Sequence, residues 1–187
     1  MVTLTSLWLP ILVSAVAVFV ASSIMHMVLT YHRADVRGLP NEARVLDVVR
    51  GANLKPGTYF FPYCASVKEM GTPAMLEKFK QGPVGMLTAL PAGPPTMPKH
   101  LMQWFAFCLV MGIFAAYVAS RALGPGAPYL TVFRMVGTVA FLGYAGAEAT
   151  NAIWRGQLWG TTLRNYLDGL VYGLVTAGVF GWLWPNL

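Results

Sequence analysis

The fold of this chain is decided by one polar stretch, residues 33–99, which reads RADVRGLPNEARVLDVVRGANLKPGTYFFPYCASVKEMGTPAMLEKFKQGPVGMLTALPAGPPTMPK. It holds nine of the thirteen Lys and Arg residues and five of the seven Asp and Glu residues. It is the only long stretch that is too polar to lie in a lipid bilayer. One apolar segment precedes it and three follow, so the rest of the chain is organised around it.

The composition is that of a membrane protein. Of the 187 residues, 56% are hydrophobic and 11% are charged, whereas soluble domains carry about 25% charged residues. A span needs about 20 mostly apolar residues, because each adds about 1.5 Å toward a hydrocarbon core of about 30 Å. We therefore expect four transmembrane helices, at residues 6–29, 101–123, 129–154 and 162–184.

The first apolar segment is interpreted as a retained helix rather than as a cleaved signal peptide. No Lys or Arg precedes it, and its apolar run is longer than the apolar region of a signal peptide. The predicted organisation is transmembrane helix 1 in residues 1–32, a loop domain in residues 33–99, and transmembrane helices 2–4 in residues 100–187.

The distribution of positive charge predicts the orientation in the membrane. Eleven Lys and Arg residues, including Arg155 and Arg164, fall on the side of the polar stretch, against Arg121 on the other side. The positive-inside rule then places residues 33–99 in the cytoplasm and both termini outside. The net charge of +6 does not indicate nucleic-acid binding, because acids alternate with the bases and no nucleic-acid motif is present.

The polar stretch has the helix-capping and strand-forming residues of a small folded domain. Asn41 is placed to cap a helix over residues 42–50, and Thr72 is placed to cap a helix that starts at Pro73. Two segments rich in β-forming residues, 58–62 and 84–90, are expected to pair. The predicted fold is thus an all-α membrane protein, a four-helix transmembrane bundle with a small α/β cytoplasmic insertion between helices 1 and 2.

Small residues recur at four-residue spacing in the later spans, which predicts close helix packing. The positions are Cys108, Gly112, Ala116 and Ser120 in the second span, and Gly169, Gly173, Ala177 and Gly181 in the fourth. Packing within the chain is the preferred interpretation, and homodimerisation stays open. If the stripe serves self-association, a Leu in place of Gly173 should disturb assembly in detergent.

Aromatic and basic residues mark the expected membrane interfaces. Trp154, Arg155 and Trp159 surround the connection between the third and fourth spans, a pattern typical of interfacial anchors. Arg134 lies about one and a half helical turns from the outer end of its span. We expect its side chain to extend to the outer headgroups as a further anchor.

Ionisable residues inside membrane spans are costly, which makes His26, Glu148 and Asp168 candidates for a functional site. The two acids reach about the same depth on antiparallel helices, and a histidine with two carboxylates can ligate a divalent metal. A quinone head and a proton relay are the other occupants considered. If the site exists, the three side chains should converge. The alternative pairs Asp168 with Arg164, Glu148 with Arg155, and His26 with a neighbouring helix.

Two further metal patterns and the soluble enzyme classes are disfavoured. Met25, His26 and Met27 resemble a copper triplet, but successive helical residues point about 100° apart and cannot close on one ion. A haem between His26 and His100 is disfavoured because His100 lies at the interface. The chain has no Walker loop, GxSxG motif or nucleophile–base arrangement.

Three stretches resemble a group of bacterial inner-membrane proteins with four predicted transmembrane helices and no assigned activity. They are MHMVLTYHRADVRGLPNEARVLDVVR (25–50), YLTVFRMVGTVAFLGYAG (129–146) and DGLVYGLVTAGVFGWLWP (168–185). The resemblance extends over the whole chain and implies a bacterial inner-membrane location. It carries no activity, cofactor or site residue over to this sequence.

Three functions remain open from the sequence, in order of preference. The first is a non-catalytic membrane protein that binds other membrane-protein subunits or itself. The second is a small transporter or channel-like protein that uses His26, Glu148 and Asp168. The third is a membrane enzyme or redox subunit with a metal, haem or quinone site at the cytoplasmic side, which uses the same residues together with His32 and His100. The lipid bilayer is the one partner expected in all three, and the cofactor is not predicted.

Overall fold

The computed structural model describes residues 2–186, and most of them are helical. The helices are, in chain order, α1 (Trp8–Met27), α2 (Glu42–Gly51), α3 (Val67–Met70), α4 (Pro73–Gln81), α5 (Met97–Ala122), α6 (Tyr129–Ala145), α7 (Glu148–Arg155) and α8 (Trp159–Trp182). Two strands, β1 (Gly57–Phe61) and β2 (Gly85–Ala89), complete the fold together with short 3-10 turns at Thr5–Leu7 and Tyr31–Ala34. The prediction of a mostly helical chain with a small sheet is confirmed.

The chain divides into two compact units. One contains residues 2–36 and 96–186, and the other is Arg37–Pro95. The polar stretch that the sequence singles out therefore forms a unit of its own, with boundaries a few residues inside those predicted.

Among residues 2–186, three helical segments are long and apolar enough to cross a membrane: Thr5–Met27, Met97–Ala122 and Tyr129–Arg155. The fourth predicted span corresponds to α8, which has 24 residues and is therefore long enough. Asn165 and Asp168 make its first half more polar than the other three helices. Length and composition alone thus identify three candidate spans rather than four.

The long helices of the first unit contact one another in a cyclic order. α1 packs against α5 and α8, and α6 packs against the same two helices. Near the start of α1, the core contains Leu7, Ala115, Val132 and Phe180, all fully buried. A second core cluster near the other end of α1 includes Met25, Cys108 and Tyr172. This second cluster lies beside the candidate site.

The small-residue stripes form contacts inside this unit. A methyl group added at Gly173 would lie 3.1 Å from the backbone nitrogen of Phe141 on α6, and one at Gly169 would lie 2.5 Å from Cβ of Ala145. On α5, a methyl group added at Gly112 would lie 3.4 Å from the side chain of Ile11 on α1. Further stripe positions are equally enclosed: Cys108, Ala116 and Ala177 are buried, and a Cβ at Gly181 would meet the ring of Tyr129. These positions therefore allow close helix contact within the chain.

The third predicted span is not one continuous helix. α6 ends at Ala145 and α7 begins at Glu148, so the helix breaks at Gly146 and Ala147. Gly146 has a low helix propensity, which weakens the helix at the break. The break places Glu148 in the first turn of α7, where the helix dipole favours a carboxylate.

The second unit is built on an antiparallel strand pair. β1 and β2 pair with Gly57 opposite Ala89 and Phe61 opposite Gly85, as the sequence predicts for these segments. Thr72 caps α4 by accepting a hydrogen bond from the backbone nitrogen of Met75. The prediction that Asn41 caps α2 is wrong. Its backbone is left-handed, with φ of 52°, instead of the extended conformation from which a cap side chain reaches the helix.

Candidate metal centre

The candidate site lies where α1 ends and where the first half of α8 passes it. His26 is in the last turn of α1, and His32 lies in the 3-10 turn that follows. Asp168 lies on α8 and is buried. The packing of α1 and of this turn against α8 thus brings together residues that are more than 130 positions apart in the sequence.

Three ligand atoms converge at this point. One imidazole nitrogen of His26, one of His32 and a carboxylate oxygen of Asp168 all lie within 4.8 Å of one another. Oδ2 of Asp168 is 2.8 Å from Nε2 of His32 and 3.6 Å from Nε2 of His26. Neighbouring ligands of one ion have comparable spacing, because zinc–nitrogen and zinc–oxygen bonds are about 2.0–2.2 Å long. The side chains therefore need only small adjustments to share a divalent ion.

Each of two ligand side chains is oriented by a further hydrogen bond. Nδ1 of His32 lies 2.6 Å from Oδ2 of Asp35, so this nitrogen donates and Nε2 faces Asp168. The hydroxyl of Tyr31 donates to Oδ1 of Asp168 and leaves Oδ2 toward the histidines. Outer contacts of this kind set the tautomer of a metal-binding histidine and the direction of a metal-binding carboxylate.

Asp35 is held in turn by α8. It accepts a hydrogen bond from Nε of Arg164 at 2.8 Å and another from Oγ1 of Thr161 at 2.9 Å, and it also pairs with Nη2 of Arg164. The hydrogen bonds from Arg164 lower the pKa of Asp35 to about 2, against the opposing effect of burial. Asp35 is therefore ionised at neutral pH and accepts a hydrogen bond from Nδ1 of His32.

The hydroxyl of Tyr31 is protonated at neutral pH. Burial raises the pKa of its hydroxyl, and the Asp168 carboxylate raises it further, because a phenolate beside a carboxylate is unfavourable. The hydroxyl therefore acts as a donor to Asp168.

A cavity of about 610 Å³ adjoins the three-ligand group. His26 and Asp168 form part of its wall, and apolar side chains such as Met27 and Leu101 form much of the remainder. Glu148 and Tyr172 add polar groups. One side of the candidate centre thus faces a space large enough for a small organic molecule.

The structure brings two of the three predicted site residues together and separates the third. His26 and Asp168 converge, whereas the carboxylate of Glu148 accepts a hydrogen bond from Nδ2 of Asn165 at 2.8 Å and lies outside the three-ligand group. Glu148 nevertheless lines the same cavity.

Two of the three local pairs in the alternative hypothesis differ from the pairs observed. Arg164 pairs with Asp35 instead of Asp168. Glu148 bonds to Asn165, and among the ion pairs of residues 2–186 none joins it to Arg155. The third pair is present, since His26 lies 3.3 Å from the hydroxyl of Tyr172 on the neighbouring α8.

The sequence indicates His32 only as a residue at the same end of the bundle, and it does not indicate Asp35 as part of the site. The available signal was their spacing of three residues, which places two side chains on one face of a helical turn. Their partners on α8 are far away in the sequence, so spacing alone does not reveal them.

The remaining predicted positions lie away from the three-ligand group. His100 is exposed in the first turn of α5. The predicted anchors are also exposed: Arg134, Trp154, Arg155 and Trp159. Their role at a membrane interface stays a prediction.

No family model, curated protein or solved structure matched this chain in the three comparisons.

Proposed function

We propose that this protein is an integral membrane protein that binds one divalent transition-metal ion through His26, His32 and Asp168. The observation that supports this is the convergence of three ligand atoms within 4.8 Å at the end of an apolar helix. Ionisable groups in such a place are costly and are usually retained for a function. A bound cation offsets that cost, because it neutralises Asp168 and satisfies both imidazoles.

The metal ion takes the place of one proton. Without metal, a proton lies between Nε2 of His32 and Oδ2 of Asp168, which are 2.8 Å apart. When the ion replaces it, Asp35 continues to hold the Nδ1 proton, so Nε2 has a lone pair to donate. Two imidazoles and one carboxylate suit zinc, ferrous iron and related divalent ions.

Three protein ligands leave at least one coordination position free. His26 and Asp168 both line the cavity, so this position faces it. An open position is typical of catalytic rather than structural metal sites. We infer that the ion serves as a Lewis acid toward water or toward a molecule in the cavity.

We further propose four membrane spans in a bacterial inner membrane, formed by α1, α5, the α6–α7 segment and α8. The cyclic packing of these helices supports including α8, since one of its faces is covered by α6 and α1. The concentration of Lys and Arg in residues 33–99 supports placing that stretch in the cytoplasm and both termini outside. The metal site then lies near the cytoplasmic end of the bundle.

We rank metal binding above self-association or a purely accessory role. The hypothesis of self-association depended on the small-residue stripes, and these face neighbouring helices of the same chain. A stripe that is covered within the chain is not available to a second copy.

The proposal is tested by metal analysis of the detergent-purified protein, combined with cobalt titration. Divalent cobalt gives an absorption spectrum that reports coordination by the protein. We expect about one ion per chain, with strong loss of binding in His26→Ala, His32→Ala and Asp168→Asn. His100→Ala is the matched control, because the third histidine of the chain lies exposed outside the group. Absence of stoichiometric metal, or an equal loss in His100→Ala, would overturn the proposal.

A further inference from the structure

The cavity beside the candidate metal centre contains a carboxylate without a cationic partner. Glu148 is half-buried, and it takes part in none of the ion pairs found among residues 2–186. Its hydrogen-bond partner is the neutral amide of Asn165. A carboxylate in a largely apolar cavity is unfavourable unless a positive charge balances it. The wall around Glu148 therefore favours a cationic occupant.

Three aromatic rings line the same cavity and contact one another. The ring of Tyr172 lies 5.7 Å from that of Trp104 and 5.5 Å from that of Tyr144, and the last two are 6.2 Å apart, centroid to centroid. The faces of Trp and Tyr rings attract cations, most strongly where water is excluded. Aromatic side chains in the same cavity as a carboxylate are thus suited to an organic cation rather than to a small hydrated ion.

We propose that this cavity binds a lipophilic organic cation, such as an amine or an onium ion with apolar substituents. Its charge pairs with Glu148, and its apolar body lies against Trp104, Tyr144 and Leu101. The volume of about 610 Å³ is within the range of small-molecule sites. A neutral lipid leaves Glu148 uncompensated, and an inorganic cation does not use the apolar wall. The inference depends on Glu148 and the aromatic rings rather than on a bound metal ion, so it does not require the metal proposal to be correct.

The test uses tetraphenylphosphonium as the probe and tetraphenylborate as its control. The two ions have the same shape and opposite charge, so a comparison separates charge recognition from partition into detergent. Equilibrium dialysis against the full-length, chelator-treated protein is expected to show saturable binding of one tetraphenylphosphonium per chain and no saturable binding of tetraphenylborate. Chelation removes metal, so failure here is distinguishable from failure of the metal proposal.

Two variants test the roles of the Glu148 charge and of the Trp104 ring separately. Glu148→Gln retains the shape of the side chain and removes its charge, so tetraphenylphosphonium affinity should fall about tenfold or more, equivalent to about 1.4 kcal/mol. Glu77→Gln is the control, since Glu77 is an exposed acid on α4. Trp104→Leu retains an apolar wall without a ring face and should also weaken binding.

Two results would overturn the inference. The first is binding of tetraphenylborate as tight as that of tetraphenylphosphonium. This comparison uses the wild-type protein alone, so it does not depend on the folding of any variant. The second is unchanged tetraphenylphosphonium affinity in a Glu148→Gln protein that melts at the wild-type temperature.

Discussion

Nδ1 of His32 lies 2.6 Å from Oδ2 of Asp35, and the same carboxylate is held by Arg164 of α8. The contact joins the turn after α1 to α8 and fixes which nitrogen of His32 points toward Asp168. The orientation of one proposed metal ligand therefore depends on a residue that does not itself reach the ion. This dependence can be measured.

Replacing Asp35 with Asn is expected to weaken metal binding about 10–100-fold, the usual effect of losing an outer contact to a metal-binding histidine. An amide no longer requires Nδ1 to be the protonated nitrogen, so the other tautomer becomes accessible. The measurement is a cobalt titration followed by absorption. Asp47→Asn is the control, because Asp47 is exposed and pairs with neighbouring Arg50. Wild-type affinity in Asp35→Asn would contradict the assignment.

The Arg164–Asp35 pair predicts a pH-dependent stability in the metal-free protein. The folded pKa of Asp35 is about 2, below its ordinary value of 3.8. A depressed pKa gives stability that is fully present above the ordinary value and is lost as pH falls toward about 2. Because hydrogen bonds from Arg164 are the main cause, Arg164→Gln should lower the melting temperature at pH 6, and the gap to wild type should narrow at pH 3. Arg50→Gln, at an exposed pair, serves as the control. A gap independent of pH would refute this account.

Gly173 and Gly178 lie on the same helix and should respond differently to an added methyl group. At Gly173 the new Cβ would meet the backbone nitrogen of Phe141 at 3.1 Å, whereas at Gly178 it would meet the hydroxyl of Tyr129 at an ordinary 3.7 Å. We expect Gly173→Ala to destabilise the protein by about 1–3 kcal/mol, as overpacking usually does. Gly178→Ala should be neutral or stabilising by up to about 1 kcal/mol, because Ala is the better helix former.

Thermal melting and size-exclusion chromatography show whether the small-residue stripe of α8 packs within the chain or mediates self-association. Lower melting with an unchanged oligomer profile is the expected result for both Gly173→Ala and Gly173→Leu. A changed oligomer with unchanged melting would instead favour self-association through Gly173.

The proposed topology predicts the side from which Cys64 can be labelled. Cys64 lies in the polar stretch and is partly exposed, while the other cysteine, Cys108, is buried among helices. A membrane-impermeant maleimide should therefore label inside-out vesicles and leave intact spheroplasts unlabelled. Cys64→Ser provides the control for labelling of Cys108. Labelling from the outside would reverse the proposed orientation.

The two proposed ligands should oppose each other. A divalent ion at His26 and Asp168 adds positive charge to the wall of the cavity, and that charge repels an organic cation at Glu148. Saturating zinc should therefore weaken tetraphenylphosphonium binding, and by linkage the probe should weaken zinc binding by the same factor. Dialysis with and without zinc measures this effect, with Asp168→Asn as the zinc-insensitive control. Unchanged affinity would show that the sites are independent.

The sequence by itself determined the local elements of this protein. The long apolar runs predict α1, α5 and α8 to within a few residues, and Thr72 with Pro73 predicts the start of α4. Strand segments around Phe60 and Leu87 are also identified by composition. These features depend on residues close together in the chain, because hydropathy, capping and turn chemistry act over a few positions.

Only the tertiary structure decided which polar groups meet. Arg164 and Asp168 share a face of α8, as their four-residue spacing predicts, and that face is covered by the turn after α1. The turn supplies Asp35 to Arg164, and it supplies Tyr31 and His32 to Asp168, so the expected local pair does not form. Hydropathy predicts that a helix exists but not its rotation about its own axis. Close packing of small residues against the neighbouring helices sets that rotation, and with it the composition of the site.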